Sequence, residues 1–384
     1  MINKTKILKN ILSHIKVGQL DVTFPNGEVQ TFGNDENLRT SLKINNKRAI
    51  SEMLSQGDIG FGRGYIENWW QCGDIVSLLD IVSQNAQHFE KAVYGNRLFS
   101  AFYKFYDFLK RNTIANSKKN IEYHYDLGNE FYFKWLDSTK TYSSALFRGN
   151  ENLEEGQVGK YRNIIKHIPN AKKILEIGCG WGGFMAEMLK ENASIEIKGL
   201  TLSHEQHAYV CEKFSKNDNI KPVIQDYRNE SNQYDAVVSI EMFEAVGMEY
   251  WETYMQKVSD SLIQNGVAVI QTITIDSSVF EKYTKTSDFI RHFIFPGGML
   301  PTKEIFESIA KKFGFEVIAS ENFGMSYRKT LLLWLENFDK ISHELQPLGF
   351  DEKFIRKWRF YLAYCAAGFN CKRTDVYQFV LRKI

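Results

Sequence analysis

A chain of 384 residues is long enough for a large core and for more than one domain. Its composition, 43% hydrophobic and 24% charged, is that of a globular protein, and a net charge of +2 excludes nucleic-acid binding by sheer excess of charge. Five cysteines, Cys72, Cys179, Cys211, Cys365 and Cys371, show neither metal-ligand spacing nor a disulfide framework, so no metal site is expected and a reducing cytoplasm fits.

The N-terminus, Met1 to Lys6, lacks the apolar core of a signal peptide, and nowhere do about 20 apolar residues follow one another as a membrane span requires. Residues 1–90 mix short apolar stretches with the turn signals Pro25-Asn26-Gly27 and Gly60-Phe61-Gly62-Arg63-Gly64, then a helical pattern from Ile75 to Val82. They read as a small α+β unit. Residues 91–120 hold an aromatic and basic stretch from Leu98 to Arg111 and a polar linker, Asn116 to Asn120. Interfacial aromatics beside lysines suit anionic lipid headgroups, and equally a helix packed inside the protein.

From 121 to 384 strand and helix patterns alternate. Strands are predicted at Lys173 to Ile177, Ile195 to Leu200, Pro222 to Ile224, Ala236 to Ile240, Val267 to Ile275, Phe315 to Ala319 and Val376 to Leu381. This is a doubly wound, Rossmann-like α/β sheet of seven strands. Its first strand ends in Glu176-Ile177-Gly178-Cys179-Gly180-Trp181-Gly182-Gly183, a glycine loop that lets a nucleotide-like ligand approach the backbone and meet its N–H groups. A dinucleotide domain would place an acid at the end of the second strand. Here that strand runs into Thr201-Leu202-Ser203-His204-Glu205-Gln206, while Glu176 and Asp226-Tyr227 supply acids and a ring elsewhere. S-adenosylmethionine is favoured over a dinucleotide.

Several motifs follow in order: Tyr123-His124-Tyr125-Asp126-Leu127-Gly128-Asn129, Thr141-Tyr142-Ser143-Ser144-Ala145, the glycine loop, Leu200-Thr201-Leu202-Ser203, Gln225-Asp226-Tyr227-Arg228, Met242-Phe243-Glu244-Ala245-Val246-Gly247 and Phe295-Pro296-Gly297-Gly298-Met299. With them the chain resembles the cyclopropane-fatty-acyl-phospholipid synthase family, and Gly64 to Trp70 resembles the small N-terminal domain of its bacterial members. The resemblance implies methyl transfer from S-adenosylmethionine to the cis double bond of a phospholipid acyl chain. It implies cofactor contacts at Tyr142, Ser143, Gly178, Gly180, Gly182, Thr201, Leu202, Gln206 and Tyr227, beside the acids Glu176 and Asp226. The expected location is the cytoplasmic face of the membrane, with the phospholipid as partner and a homodimer left open.

An alkene is a weak nucleophile, so such a site must align the methyl group, exclude water and present aromatic faces to a cation. A proton must then leave. The resemblance implies a bound bicarbonate as base, held at Ser144, Glu244, Gln271, Tyr327 and Cys365. Ser144 stands where the family has Cys, and Gln271 where it has His. An amide still donates to an anion but carries no proton, which weakens bicarbonate in expectation. Loss of a proton from the new methyl closes a ring; loss from a chain carbon leaves a methylated alkene, and an exocyclic methylene is a further outcome. Ring closure is expected. A small-amine N-methyltransferase and a lipid-binding protein without chemistry are the other readings.

Overall fold

The computed structural model describes residues 3–93 and 127–384. The stretch Leu98–Arg111 and the Tyr123–Asp126 part of the first motif lie outside them. The chain divides into two compact units.

The first unit combines the described N-terminal residues with two later segments, Lys285–Ile294 and Trp334–Arg373. Its sheet orders four strands β2-β1-β3-β4: β1 (Gln19–Thr23), β2 (Val29–Gly33), β3 (Arg39–Ile44) and β4 (Trp70–Cys72). β1 pairs antiparallel with β2 across the turn at Gly27 and parallel with β3. The predicted helix is present as Ile75–Gln84, and Asp74 caps it by accepting from the Val76 and Ser77 amides.

Gly60 to Gly64 form no turn. They lie inside a helix, Lys47–Ile66, kinked at Gly57. The glycines serve close packing instead: a Cβ on Gly62 would stand 2.3 Å from the Phe289 ring, and one on Gly64 2.7 Å from the Trp70 indole. That indole stacks on Phe61 at 4.5 Å and donates from Nε1 to the Phe61 carbonyl. Local propensity reads three glycines as a break, and tertiary packing overrides it. Later segments meet this core as well, since Phe360 of the helix Glu352–Asn370 packs against Tyr65 and Trp70. This unit therefore also recruits chain from beyond residue 284.

The second unit holds seven strands in the order β10-β11-β9-β8-β5-β6-β7: β5 (Lys173–Ile177), β6 (Glu196–Thr201), β7 (Ile220–Ile224), β8 (Tyr234–Ile240), β9 (Leu262–Ile275), β10 (Phe315–Asn322) and β11 (Thr374–Lys383). β5 to β9 run parallel, while β11 is antiparallel to both β9 and β10. Alternation along β5 feeds two cores: Ile174 joins the apolar cluster on one side of the sheet, Leu175 and Ile177 that on the other. β5 pairs with β6 on one side and β8 on the other, so the strand order reverses there. A ligand crevice belongs at the carboxyl ends of these strands.

Candidate active site

A pocket opens at that point. Its wall takes in the sequence-predicted Tyr142, Ser143, Glu176, Gly178, Gly180, Thr201, Leu202, Gln206, Asp226 and Tyr227. Gly182 is the exception. It is a left-handed residue at the start of the helix Gly183–Glu191, and a Cβ there would strike the Phe214 ring at 2.7 Å. Its glycine is a packing requirement.

The loop amides are used differently from expectation. Gly178 and Cys179 both donate to the Leu200 carbonyl, at 3.0 and 2.9 Å, and Gly182 donates to that of Cys179. These bonds tie the loop to β6 and leave Gly180 as the point of close approach: with φ at +51° it has nothing within 4 Å of an added Cβ. Cys179 is a buried filler whose thiol burial pushes far up. Behind the loop, the Trp181 indole donates to Asn129 Oδ1 at 2.6 Å, and the Asn129 amide donates to Glu205. The first motif thus braces the glycine loop. Tyr132 and Trp135 back the Tyr142 ring at 5.3 and 5.6 Å.

Glu176 is buried at the pocket floor, and its Oε2 has no hydrogen-bond partner among the described residues. Burial lifts this carboxyl well above its usual range, against the pull of Lys213 and Lys160. An orphaned carboxylate oxygen beside a glycine cradle fits a cofactor that brings a cationic amino group. Asp226 is already engaged, accepting from Arg228 Nε and Nη2 at 2.9 and 2.6 Å. Tyr227 packs edge-on against Tyr254 and keeps a place in the wall.

The residues expected to hold an anion come together only in part. Ser144, Gln271 and Tyr327 converge, and what they hold is Glu241, a residue the sequence reading passed over. Glu241 Oε1 accepts from the Ser144 backbone N–H at 2.8 Å and from Gln271 Nε2 at 2.7 Å. Its Oε2 accepts from the Tyr327 hydroxyl at 2.6 Å. Ser144 contributes through its backbone, because its hydroxyl is turned to the Ala145 carbonyl. Gln271 is oriented from behind: Gln378 Nε2 donates to its Oε1 at 2.9 Å, which obliges its amide nitrogen to face Glu241.

Glu244 stands apart from this ring of donors. Its Oε1 accepts from the Ile273 amide, its Oε2 is buried without a partner, and its backbone carbonyl accepts from Met299 of the Phe295–Met299 motif. Burial, then the charge of Glu241, pushes its carboxyl above the usual range. Of two neighbouring carboxyls, the one with three donors carries the charge and the other is the neutral acid. Cys365 falls in the first unit, on the helix Glu352–Asn370, where burial pushes its thiol up and Asp288 adds to the effect.

A second unpredicted group is Lys160, fully buried on the helix Leu153–Ile165. It donates to Ser143 Oγ at 2.6 Å and to Gln157 Oε1 at 2.7 Å. Burial lowers its pKa to about 7, and the negative charge of Glu241 works against that shift. Among the described residues no cluster of acids, cysteines or histidines is fit to hold a metal ion.

A family model described as mycolic acid cyclopropane synthetase matches residues 112–379, and one for a domain of unknown function matches 7–92. The chain is 30% identical over 353 residues to the cyclopropane-fatty-acyl-phospholipid synthase of Escherichia coli K12, covering 89% of this chain and 87% of that one. The chain belongs to the cyclopropane-fatty-acyl-phospholipid synthase family. It is an S-adenosylmethionine-dependent methyltransferase. Tuberculostearic acid methyltransferase of Mycobacterium tuberculosis is also 30% identical, over 89% of this chain and 83% of its own length. Among solved structures, mycolic acid cyclopropane synthase CmaA1 with SAH and CTAB superposes with a TM-score of 0.64 at 29% identity, covering 69% of this chain and 98% of that one. A coclaurine N-methyltransferase reaches 0.67 at 16% identity over 87% of this chain and all of its own, a likeness of fold.

Proposed function

We propose that this family member transfers a methyl group from S-adenosylmethionine to the cis double bond of phospholipid acyl chains and closes a cyclopropane ring. The observation that carries the substrate is the reach of the likeness: it runs over 89% of the chain to an enzyme named for phospholipid, and so includes the N-terminal unit. The cofactor would sit between Gly180 and Tyr227, with Glu176 at the floor to receive its amino group. When bound it supplies an electrophilic sulfonium methyl. The chain's part is to hold that methyl in line with the double bond, keep water out and offer the Tyr142 face to the cation that follows.

Among the described residues no helix is long and apolar enough to cross a membrane. Work at the bilayer surface is therefore part of the proposal, with the aromatic and basic stretch Leu98–Arg111 as the segment suited to it. A second reading keeps the substrate and changes the product to a methyl-branched or methylene chain; the equal likeness to tuberculostearic acid methyltransferase favours it. The test is incubation of the purified protein with S-adenosylmethionine and vesicles of cis-monounsaturated phosphatidylglycerol. Gas chromatography with mass spectrometry should find acyl esters heavier by one methylene and resistant to hydrogenation. Hydrogenation of that product would point to the second reading, and unchanged lipid would defeat both.

A further inference from the structure

Strand β8 ends at Ile240, and the next residue, Glu241, turns into the left-handed region with φ at +52°. A non-glycine residue there costs about 1–3 kcal/mol and persists only where its surroundings enforce it. Here they do: the Glu241 amide donates to the Gln271 carbonyl at 2.8 Å, and the side chain is fixed by donors from positions 144, 271 and 327. The strained backbone aims a carboxylate into the wall of the cofactor pocket.

We propose that Glu241 is the proton acceptor of the methyl-transfer reaction, a carboxylate built into the chain where the resemblance implied a separate bicarbonate. The inference rests on the functional reading above and deepens it. Three of the residues expected around a free anion are occupied in holding this one, Gln271 and Tyr327 by their side chains and Ser144 by its backbone N–H. A second anion in the same place would meet the negative charge of Glu241 and find its donors taken. Glu244 does not compete for the role, since its carboxyl is the neutral member of the pair.

The geometry leaves room for a proton. A carboxylate offers about four lone-pair sites. Ser144 and Gln271 take those of Oε1, and Tyr327 takes one of Oε2. The remaining site on Oε2 is the acceptor. In the reaction the alkene π pair forms the bond to the methyl carbon, the S–CH3 pair stays on sulfur, and the other former alkene carbon is left positive. Glu241 Oε2 then takes a proton from the new methyl, and that C–H pair closes the ring. Removal from a neighbouring chain carbon, with the same electron count, would leave a methylated alkene. The proton resides on the Glu241 carboxyl and passes to solvent before the next turnover.

The experiment uses the full-length protein with S-adenosylmethionine and monounsaturated phosphatidylglycerol vesicles, in buffer freed of carbon dioxide and then supplied with bicarbonate or formate. Native protein should turn over equally with and without added bicarbonate. Glu241→Gln preserves the donors' partners, because an amide oxygen can accept from Ser144 and Gln271 while its nitrogen faces Tyr327. It should keep cofactor affinity by calorimetry and lose turnover by roughly 10²-fold or more. Glu241→Ala empties the space between the three donors, and bicarbonate or formate should restore part of its turnover. Native turnover that requires bicarbonate, or a Glu241→Gln variant as active as native, would overturn the assignment while leaving lipid methylation standing. Native protein that leaves the lipid unmethylated would overturn the functional reading, and this inference with it.

Discussion

Replacing Tyr327 by Phe removes one atom from the pair it makes with Glu241. The ring is buried and stays in place; what goes is a hydroxyl donating at 2.6 Å to Glu241 Oε2. Burial holds the Glu241 carboxyl above its ordinary range, and the Tyr327 bond is the first of the interactions that oppose it. A hydrogen bond to a charged acceptor contributes about 1.5–3 kcal/mol. With one pKa unit equal to about 1.4 kcal/mol, its loss should raise the Glu241 pKa by about one to two units. The bond favours the ionised form, so without it the carboxylate fraction at a given pH falls. The acid limb of the turnover profile should then move to higher pH by that amount, with turnover above the limb largely retained. The assay is turnover against pH on lipid vesicles for native and Tyr327→Phe protein. A uniform loss at every pH with an unmoved acid limb would refute the reasoning and make Tyr327 a packing residue.

Gly180→Val should abolish measurable cofactor binding in calorimetry, because its side chain would fill the open space beside the loop and a β-branched residue is strained at a φ of +51°; native affinity would contradict the placement of the ligand. Glu244→Gln mimics a neutral acid, so turnover at pH 7 should stay within about tenfold of native, well short of the loss from removing a base. A collapse as deep as that of Glu241→Gln would show that Glu244 works as an anion. Lys160→Met removes a positive charge that holds the Glu241 pKa down, so the acid limb should again move up in pH; an unmoved limb would mean that Lys160 is neutral or acts elsewhere. Trp70→Ala deletes a fully buried indole from the first unit and should cost about 3–5 kcal/mol in denaturant unfolding. A change below about 1 kcal/mol would mean that the unit collapses around the gap or contributes little.

The parallel strands were legible because each is a short apolar run, and the run Lys173–Ile177 agrees with the structure residue for residue. β9 begins earlier than expected, at Leu262, because its first residues after that, Ile263 to Asn265, are exposed and two of the three are polar, with no pattern to mark them. The Gly60–Gly64 stretch was misread for the opposite reason. Its glycines are dictated by Phe289 and Trp70, contacts that sequence spacing cannot show. The recruitment of Trp334–Arg373 into the first unit is non-local in the same way.

Ten of the eleven residues expected at the cofactor line the pocket, and the expected catalytic carboxylate was Glu244, three residues from the one that accepts from Ser144, Gln271 and Tyr327. Nothing local distinguishes the two carboxylates. The difference lies in hydrogen bonds that arrive from 97, 30 and 86 residues away. One signal was available: Glu241 is the first residue after a strand that flanks the crossover, where ligand-facing groups of such sheets collect. Gln271, taken as a weakened anion holder, makes sense as a donor to a resident carboxylate, with Gln378 fixing which end of its amide faces it.

The most direct measurement follows the methyl group itself. Purified protein is incubated with S-adenosylmethionine carrying a fully deuterated methyl and with monounsaturated phosphatidylglycerol vesicles, and the acyl esters are weighed by mass spectrometry. Label should appear in the acyl chain with two of its three deuteriums retained, since the proton removed by Glu241 comes from the transferred methyl as the ring closes. Retention of all three deuteriums would place proton loss on the chain, and the absence of label from the lipid would contradict the account at its root.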